Sequence, residues 1–551
     1  PGEVSATHWT FDGNANPTAI VETVQGAGTR RETRRYDPFD RLEGVTDLHG
    51  KTLGYGYDTV GNRTSLTDAD GQTTDFTYDA LNHNRTVTVP GQGPTAQTWL
   101  PSGRLQSISR PDGSTTAHTY DPAGRLETIT HANPGGVIAR LAYRYDLNGN
   151  RIEQKETNGA VTLGVEQTTG YDYDRADRLV TVREPARTLT YTLDAVGNRT
   201  TESVTNDSAI LVSQSTLDYD ARDRLTERSD PIQALIITQA WDADGNRTGQ
   251  TINGETRTFT YDARDRLVTL QQPGAPPLVF DYDSHGLRTK KAQGAAETRY
   301  QYDQSSLIAE TNAIGNTLSR LHYGATQLLA RTEAGSTPSQ RHYLLDALNS
   351  PIVLTNQAGT ISARTKYDAF GEILAQQGTA GQITTPNPNA ATAELITTDQ
   401  QPIGFTGYQK DEESGLYYAK ARYYDPTVAR FTTEDPEAGK AERPPSLHRY
   451  LYAYANPTVY VDPTGREAWT SLDVALHARA TTNDPERAAQ LDQQVAQIQA
   501  SQQRGADSAN GVSLAVGDTV VNTVVGLAAL TVEGAKYDLE VKSDGLFDFG
   551  A

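Results

Sequence analysis

The 551-residue chain carries 69 acidic against 49 basic side chains, a net charge of -20, which argues against a nucleic-acid-binding surface because phosphate contacts need an excess of Lys and Arg. It has no cysteine, so disulfides, thiolate metal sites and a cysteine nucleophile are excluded. Only 36% of residues are apolar and Tyr (28) far outnumbers Phe (10); with a mean hydropathy of -0.60, that mixture favours polar, twisted β-sheet with many turns over a helix bundle.

The first elements are repeats. An aromatic residue and Asp, two fillers, Gly or Asn, then Arg or Asn recurs, with the Asp at positions 37, 58, 79 and 121 and a degenerate copy holding Leu100. Those steps are 21 residues each; further copies at Asp146, Asp174, Asp194, Asp220, Asp242, Asp262, Asp283 and Asp303 step by 20 to 28. Weaker copies continue at Tyr323, Asp346 and Asp368.

Each phrase predicts strand, turn, strand. "FTYDARDRLVTL" (Phe259 to Leu270) alternates apolar and polar residues on both sides of a turn, as a half-buried hairpin does. The Asp accepts hydrogen bonds from turn amides, and Gly-Asn pairs such as Gly61/Asn62 tolerate positive φ. A second turn, "DLHGK" at Asp47 or "DADGQ" at Asp68, closes each repeat. The Tyr and Arg of successive repeats are expected to form ladders on one face, so these Asp and Arg residues read as turn and ladder chemistry rather than catalysis.

About 17 two-stranded repeats at ~4.8 Å per strand make a sheet roughly 160 Å long. Closed into one turn it is about 50 Å across, too wide for side chains to fill. The expected architecture of residues 1–372 is therefore all-β: a hollow wall of wound antiparallel hairpins, wetted on both faces.

Residues 373–403 read as an inserted loop, because "AQQGTAGQITTPNPNAATAELITTDQQ" (Ala375 to Gln401) breaks the array with small polar residues. Beyond Gly465 the language changes. "DPERAAQLDQQVAQIQASQQR" (Asp484 to Arg504) has helical spacing, and Val512 to Ala535 is a second helix candidate. The latter is broken by Asp518 and Asn522, so no stable membrane span is expected. The ten His form no ligand-spaced pair such as HExxH, and neither metal nor cofactor is expected. With no Met in the chain, Pro1 is expected to mark a processed or truncated end of a longer protein.

The phrases resemble the YD-repeat or Rhs-repeat family, and the stretch after residue 400 sharpens the match. "GFTGYQKDEESGLYYAKARYYDPTVARFTTEDP" (Gly404 to Pro436) and "LHRYLYAYANPTVYVDPTG" (Leu447 to Gly465) are similar to the Rhs-associated core that closes such shells. "LLDALNSPIVLTNQAGT" (Leu344 to Thr360) and "YDAFGE" (Tyr367 to Glu372) are similar to the run-in to that core.

The resemblance implies a shell (1–372), a loop (373–403), a core (404–465) and an encapsulated start of a C-terminal toxin (466–551) with a short helical tail. It implies a bacterial polymorphic toxin made in the cytoplasm, secreted by a type VI or Tc-like route and delivered into target cells. The partners it implies are the toxin domain itself, secretion machinery contacted through a missing N-terminal part, and a cognate immunity protein. The alternative from the same family is a teneurin-like adhesion scaffold without toxin or self-cleavage; absence of Cys weakens it.

The family's core is an aspartic autoprotease cutting just after "DPxGL". The resemblance places Asp435 and Asp462 in the two acidic positions, with Arg430 beside them and the cut near Gly465, Arg466 and Glu467. Two carboxylates held close cannot both ionise, so one serves as acid while the other activates water, and an Arg can polarise the scissile carbonyl. Two departures stand against this: Ala429 precedes Arg430 where Gly is usual, and Arg466 replaces Leu. The competing reading is that both Asp-Pro pairs are simply turn formers.

Overall fold

The computed structural model describes residues 4–24, 28–157, 166–324, 327–335, 339–377, 383–384, 401–441 and 443–469. The helical expectation for Asp484 to Arg504 and Val512 to Ala535 lies outside them. The described chain forms one antiparallel sheet of 35 strands, from Val4–Phe11 to Ile383–Thr384, in which each strand pairs with its neighbours in sequence. A separate four-stranded sheet follows: Gln409–Asp411, Leu416–Tyr418, Tyr423–Asp425 and Arg430–Phe431. The wall extends further than the sequence suggested. Ile373–Gln377, expected as the start of a loop, pairs with Ile361–Tyr367 as a full strand.

The repeat phrase explains the sheet. In most turns the Asp carboxylate takes two backbone amides: Asp58 Oδ1 accepts from Val60 (3.1 Å) and Asn62 (2.8 Å). Its other oxygen accepts from the side chain four residues on, Asn62 at 2.9 Å here, Arg41 Nε at 2.7 Å in the preceding turn. Arg41 then reaches forward with Nη1 to the carbonyl of Asp58 (2.9 Å), and Arg125, Arg178, Arg224 and Arg266 do the same to the next turn. The Tyr reaches backward: Tyr57 donates its hydroxyl to Leu42 O (2.9 Å), Tyr78 to Arg63 O (2.9 Å) and Tyr120 to Leu105 O (2.8 Å). Trp99 and Trp241 substitute for Tyr, donating Nε1 to Asn84 O and Leu225 O at 2.8 Å. One phrase thus ties each repeat to both neighbours, and the Arg lies over the next repeat's ring, Arg41 on Tyr57 at 4.8 Å.

The register slips just before the Tyr of each phrase, as between Gly56 and Tyr57, Thr77 and Tyr78, and Thr260 and Tyr261. Such bulges bend a strand and increase its twist. Repeated at this interval, they roll the sheet until strands far apart in sequence meet. His131 lies 3.0 Å from Leu345 O, Lys366 donates to Gln167 at 2.9 Å, and Arg63 pairs with Asp303. Ile129, Leu141 and Tyr143 pack on Leu344 and Val353 in one of the apolar clusters that this overlap buries.

Strand faces divide as the alternation predicts. In Glu255–Tyr261, Arg257 and Phe259 are buried while Thr256, Thr258 and Thr260 are exposed. The inner face of the middle strands is covered by the small sheet. Its Tyr417, Tyr424 and Phe431 pack with Tyr191 and Leu189 of the wall, and its Leu416, Tyr418 and Tyr423 pack with Phe259, Leu270 and Phe280. Buried charge fixes the registration. Asp425 meets Arg247 (2.7 Å) and Arg257 (3.4 Å), and Asp411 meets Arg288 (2.5 Å) and Lys291 (3.4 Å).

Candidate active site

The small sheet carries its chemistry on the connection between Leu416–Tyr418 and Tyr423–Asp425. Lys420 there adopts φ +66, and Ala419 N–H donates to Arg422 O at 2.9 Å. Strand alternation puts Arg422 on the same side as Tyr424, inside the domain. Its guanidinium is 2% exposed and lies 3.6 Å from the ring centroid of Phe431. A charge so placed needs a counter-charge and hydrogen-bond acceptors for its donors.

It finds them. Nη2 touches both Asp435 Oδ2 (2.7 Å) and Asp462 Oδ2 (3.0 Å), Nε donates to Gly465 O (2.5 Å) and Nη1 to Arg449 O (3.0 Å). The other oxygen of Asp462 accepts the amides of Arg466 (3.0 Å) and Glu467 (3.2 Å). The Gly465–Arg466 peptide is therefore held from both ends, its carbonyl on a guanidinium and its N–H on a carboxylate.

Local structure makes that grip specific. Gly465 has φ +70, and a Cβ there would sit 2.4 Å from Ala419 O, so only glycine fits. Tyr408 donates its hydroxyl to Asp462 O, and Trp469 N–H closes the loop onto Val461 O at 2.7 Å. Asp435 accepts the amide of Glu437 at 2.9 Å. Burial, opposed by Arg422 and reinforced by the neighbouring charge of Asp462, pushes the Asp435 carboxyl up to about 6.

Asp435 and Asp462 thus share one nitrogen, as close placement requires. Arg430 does not join them. Its Nη1 donates to Asp223 O (3.0 Å), its Nη2 to Asn198 Oδ1, and its guanidinium lies 4.5 Å from the Tyr219 ring centroid, all on the wall. The arginine between the acids is Arg422, which the sequence reading passed over. The available signal was a cation inside the Tyr-rich strand run "LYYAKARYYD", on a face that alternation buries. Ala429 takes φ +53, the left-handed conformation that the usual glycine would adopt freely.

Comparison with known proteins fits this architecture. A family model described as Teneurin YD-shell matches residues 102–458, and one described as RHS Repeat matches residues 57–94. The chain is 30% identical over 225 residues to the tRNA nuclease WapA of Bacillus subtilis, covering 40% of this chain and 9% of that protein. It is 29% identical over 233 residues to the toxin protein Tse5 of Pseudomonas aeruginosa (39% and 17%), and 29% identical over 242 residues to the double-stranded DNA deaminase toxin A of Burkholderia cenocepacia (38% and 15%). The matched segment is thus a small part of each relative's length. Among solved structures, the Tc holotoxin pore of Photorhabdus luminescens superposes with a TM-score of 0.63 at 17% identity, over 84% of this chain and 26% of that one. The crystal structure of TcdB2-TccC3 gives 0.61 at 17% identity, over 84% and 27%. With its rolled sheet of tyrosine-aspartate hairpins and its inserted core, the chain belongs to the teneurin YD-shell family.

Proposed function

We propose that this chain is the closing part of a toxin-carrying shell whose core cuts its own polypeptide after Gly465, freeing the segment that follows. The observation that carries the reading is the Gly465–Arg466 peptide held between Arg422 and Asp462 with Asp435 alongside. In that geometry Asp435 takes a proton from water, whose oxygen bonds to the Gly465 carbonyl carbon. Arg422 Nε stabilises the charge that builds on the carbonyl oxygen. The C–N bond then breaks, the proton passes from Asp435 to the departing Arg466 nitrogen, and the new Gly465 carboxyl gives up its remaining proton to the amine, leaving a carboxylate and an ammonium group. Asp462 holds the departing amide and, through Arg422, fixes the distance to Asp435.

The released segment is the start of a toxin domain. Toxin-named relatives that are similar to part of this chain support this. Delivery follows as part of the reading: the protein is made in a bacterial cytoplasm, secreted through a type VI or Tc-like route engaged by a further N-terminal part, and neutralised in the producer by an immunity protein. The family description itself favours a second reading, a teneurin-like adhesion scaffold in which the same cluster only pins the loop.

Intact-mass measurement separates the two. The wild-type chain should appear as two species, divided at Gly465–Arg466, with the tail still bound. Asp462→Asn should fold and remain whole, because the amide preserves shape but not the carboxylate. A wild-type chain that stays uncut refutes the self-cleaving shell. A variant that still cuts shows that Asp462 is not needed.

A further inference from the structure

The two residues after Gly465 are charged, and each meets its opposite in one short loop. Arg466 Nη1 lies 3.1 Å from Glu437 Oε1, and Glu467 Oε1 lies 3.0 Å from Lys440 Nζ and 3.8 Å from Arg443 Nη1. Glu437, Lys440 and Arg443 present acid, base, base where the segment beyond the glycine presents base, acid. Turning either sequence around would set like charges against each other.

The loop is stiff where it makes these contacts. It starts two residues after Asp435, which fixes its first amide. Arg449 Nη1 donates to Glu437 O at 2.5 Å, Lys440 N–H donates to Ser446 Oγ at 2.7 Å, and Lys440 pairs with Arg443 as an antiparallel bridge. Gly439 at φ +77 leaves no space for a side chain, since a Cβ would lie 2.3 Å from Ser446 O. The charged groups therefore stand on a frame built from the same segment as Asp435.

We infer that Glu437, Lys440 and Arg443 form a charge clamp that selects and orients the residues flanking the cut, admitting a basic residue at 466 and an acidic one at 467. This rests on the reading that the core cleaves its own chain. It accounts for Arg466 at the position where the family resemblance implies Leu: the substitution is matched by Glu437, so the peptide keeps its place on Asp462. Glu437, Lys440 and Arg443 are positioning residues, since none of them touches the Gly465–Arg466 peptide.

The pairs are solvent-exposed, so each one's effect is modest, and reversal adds repulsion. Glu437→Arg or Arg466→Glu should each slow self-cleavage by roughly 3–10-fold. The double reversal should restore the wild-type rate to within about twofold. The rate is read by intact mass on the full chain during a cell-free synthesis time course. A second readout does not need cleavage: in an Asp435→Asn background, amide hydrogen exchange of a peptide covering residues 463–469 should speed up in each single variant and return in the double. Singles that match wild type, or a double no better than the singles, overturn the clamp. If the parent chain is never cut, self-cleavage fails as a reading, while the exchange pattern still decides whether the clamp holds the segment.

Discussion

The turn at Asp368 breaks the repeat's own rule, and that makes its stability depend on pH. In the sibling turns the residue four after the Asp donates to the second carboxylate oxygen, as Asn62, Arg178 and Arg266 do. At Asp368 that residue is Glu372, and its amide, not its side chain, reaches the Asp (2.8 Å). The charge of Asp368 then acts on Glu372 with no side-chain donor between them, Glu184 and Glu202 add negative charge, and Arg187 and Arg228 oppose it. Burial first, and the mutual repulsion second, push Glu372 up to about 7; burial pushes Asp368 up to about 6. Unfolded carboxyls titrate near ~4, so between pH 4 and 7 the native state binds more protons than the unfolded state. The penalty is absent at pH 4, grows as pH rises, and is complete above pH 7. At ~1.4 kcal/mol per pH unit, Glu372 costs about 2–4 kcal/mol at pH 8. Glu372→Gln removes that charge and supplies a donor for Asp368. Denaturant midpoints of the full chain at pH 5 and pH 8 test this. The variant should gain most of that energy at pH 8 and little at pH 5. An equal gain at both values, or none at pH 8, would refute the electrostatic account.

Two further outcomes follow from the buried geometry. Arg288→Met should loosen the core from the wall, because it leaves Asp411, wholly buried, with Lys291 alone; the cost is about 3 kcal/mol, read as a lower denaturant midpoint and faster proteolysis after residue 403. An unchanged midpoint would mean that the Arg288 cage of Phe280, Tyr300 and Tyr418 carries no charge-pairing role. Gly465→Ala should leave the fold intact and stop self-cleavage, since its Cβ would push the carbonyl away from Arg422; cleavage at the wild-type rate in a time course by intact mass would show that this carbonyl is not the one polarised.

Much of the wall was legible because its information is local. A hairpin register is set by turn residues, and the phrase repeats those residues at a constant interval, so strand, turn and pairing order followed from Asp37, Asp58 and Asp79 onward. The bulges before each Tyr were not legible, since they depend on where the Tyr hydroxyl finds a carbonyl one repeat back. The strand Ile373–Gln377 was missed for a different reason. Its alternation is cut short by Gln377, and the polar run beyond it dominated the reading. The site was half legible. Two Asp-Pro units announce two acids, but which arginine stands between them is decided by tertiary packing, and Arg422 and Arg430 look alike in sequence. Arg430 pairs in register with Asp425 and points its donors at the wall turns near Asn198 and Asp223; Arg422 sits on a connection and turns inward.

The arginines that follow the turns explain how one repeated phrase can both build a wall and receive a core. In the repeats the residue just after the turn, Arg63, Arg247 or Arg288, faces inward and carries a charge that cannot be left unpaired. Where the sheet overlaps itself, the anion comes from another repeat: Arg63 meets Asp303. At Arg199 it comes from Glu202 on the same strand, and at two positions it comes from the small sheet: Arg247 meets Asp425 and Arg288 meets Asp411. Pairs of this kind add little net stability over apolar packing, because both partners lose their water. They punish misalignment instead, since a slip by one strand would bury two unpaired charges. At Arg63, Arg247 and Arg288 the same inward position therefore helps fix where distant repeats meet and where the core sits, and Arg422 extends that logic within the core by using its buried charge to hold two acids and the peptide between them.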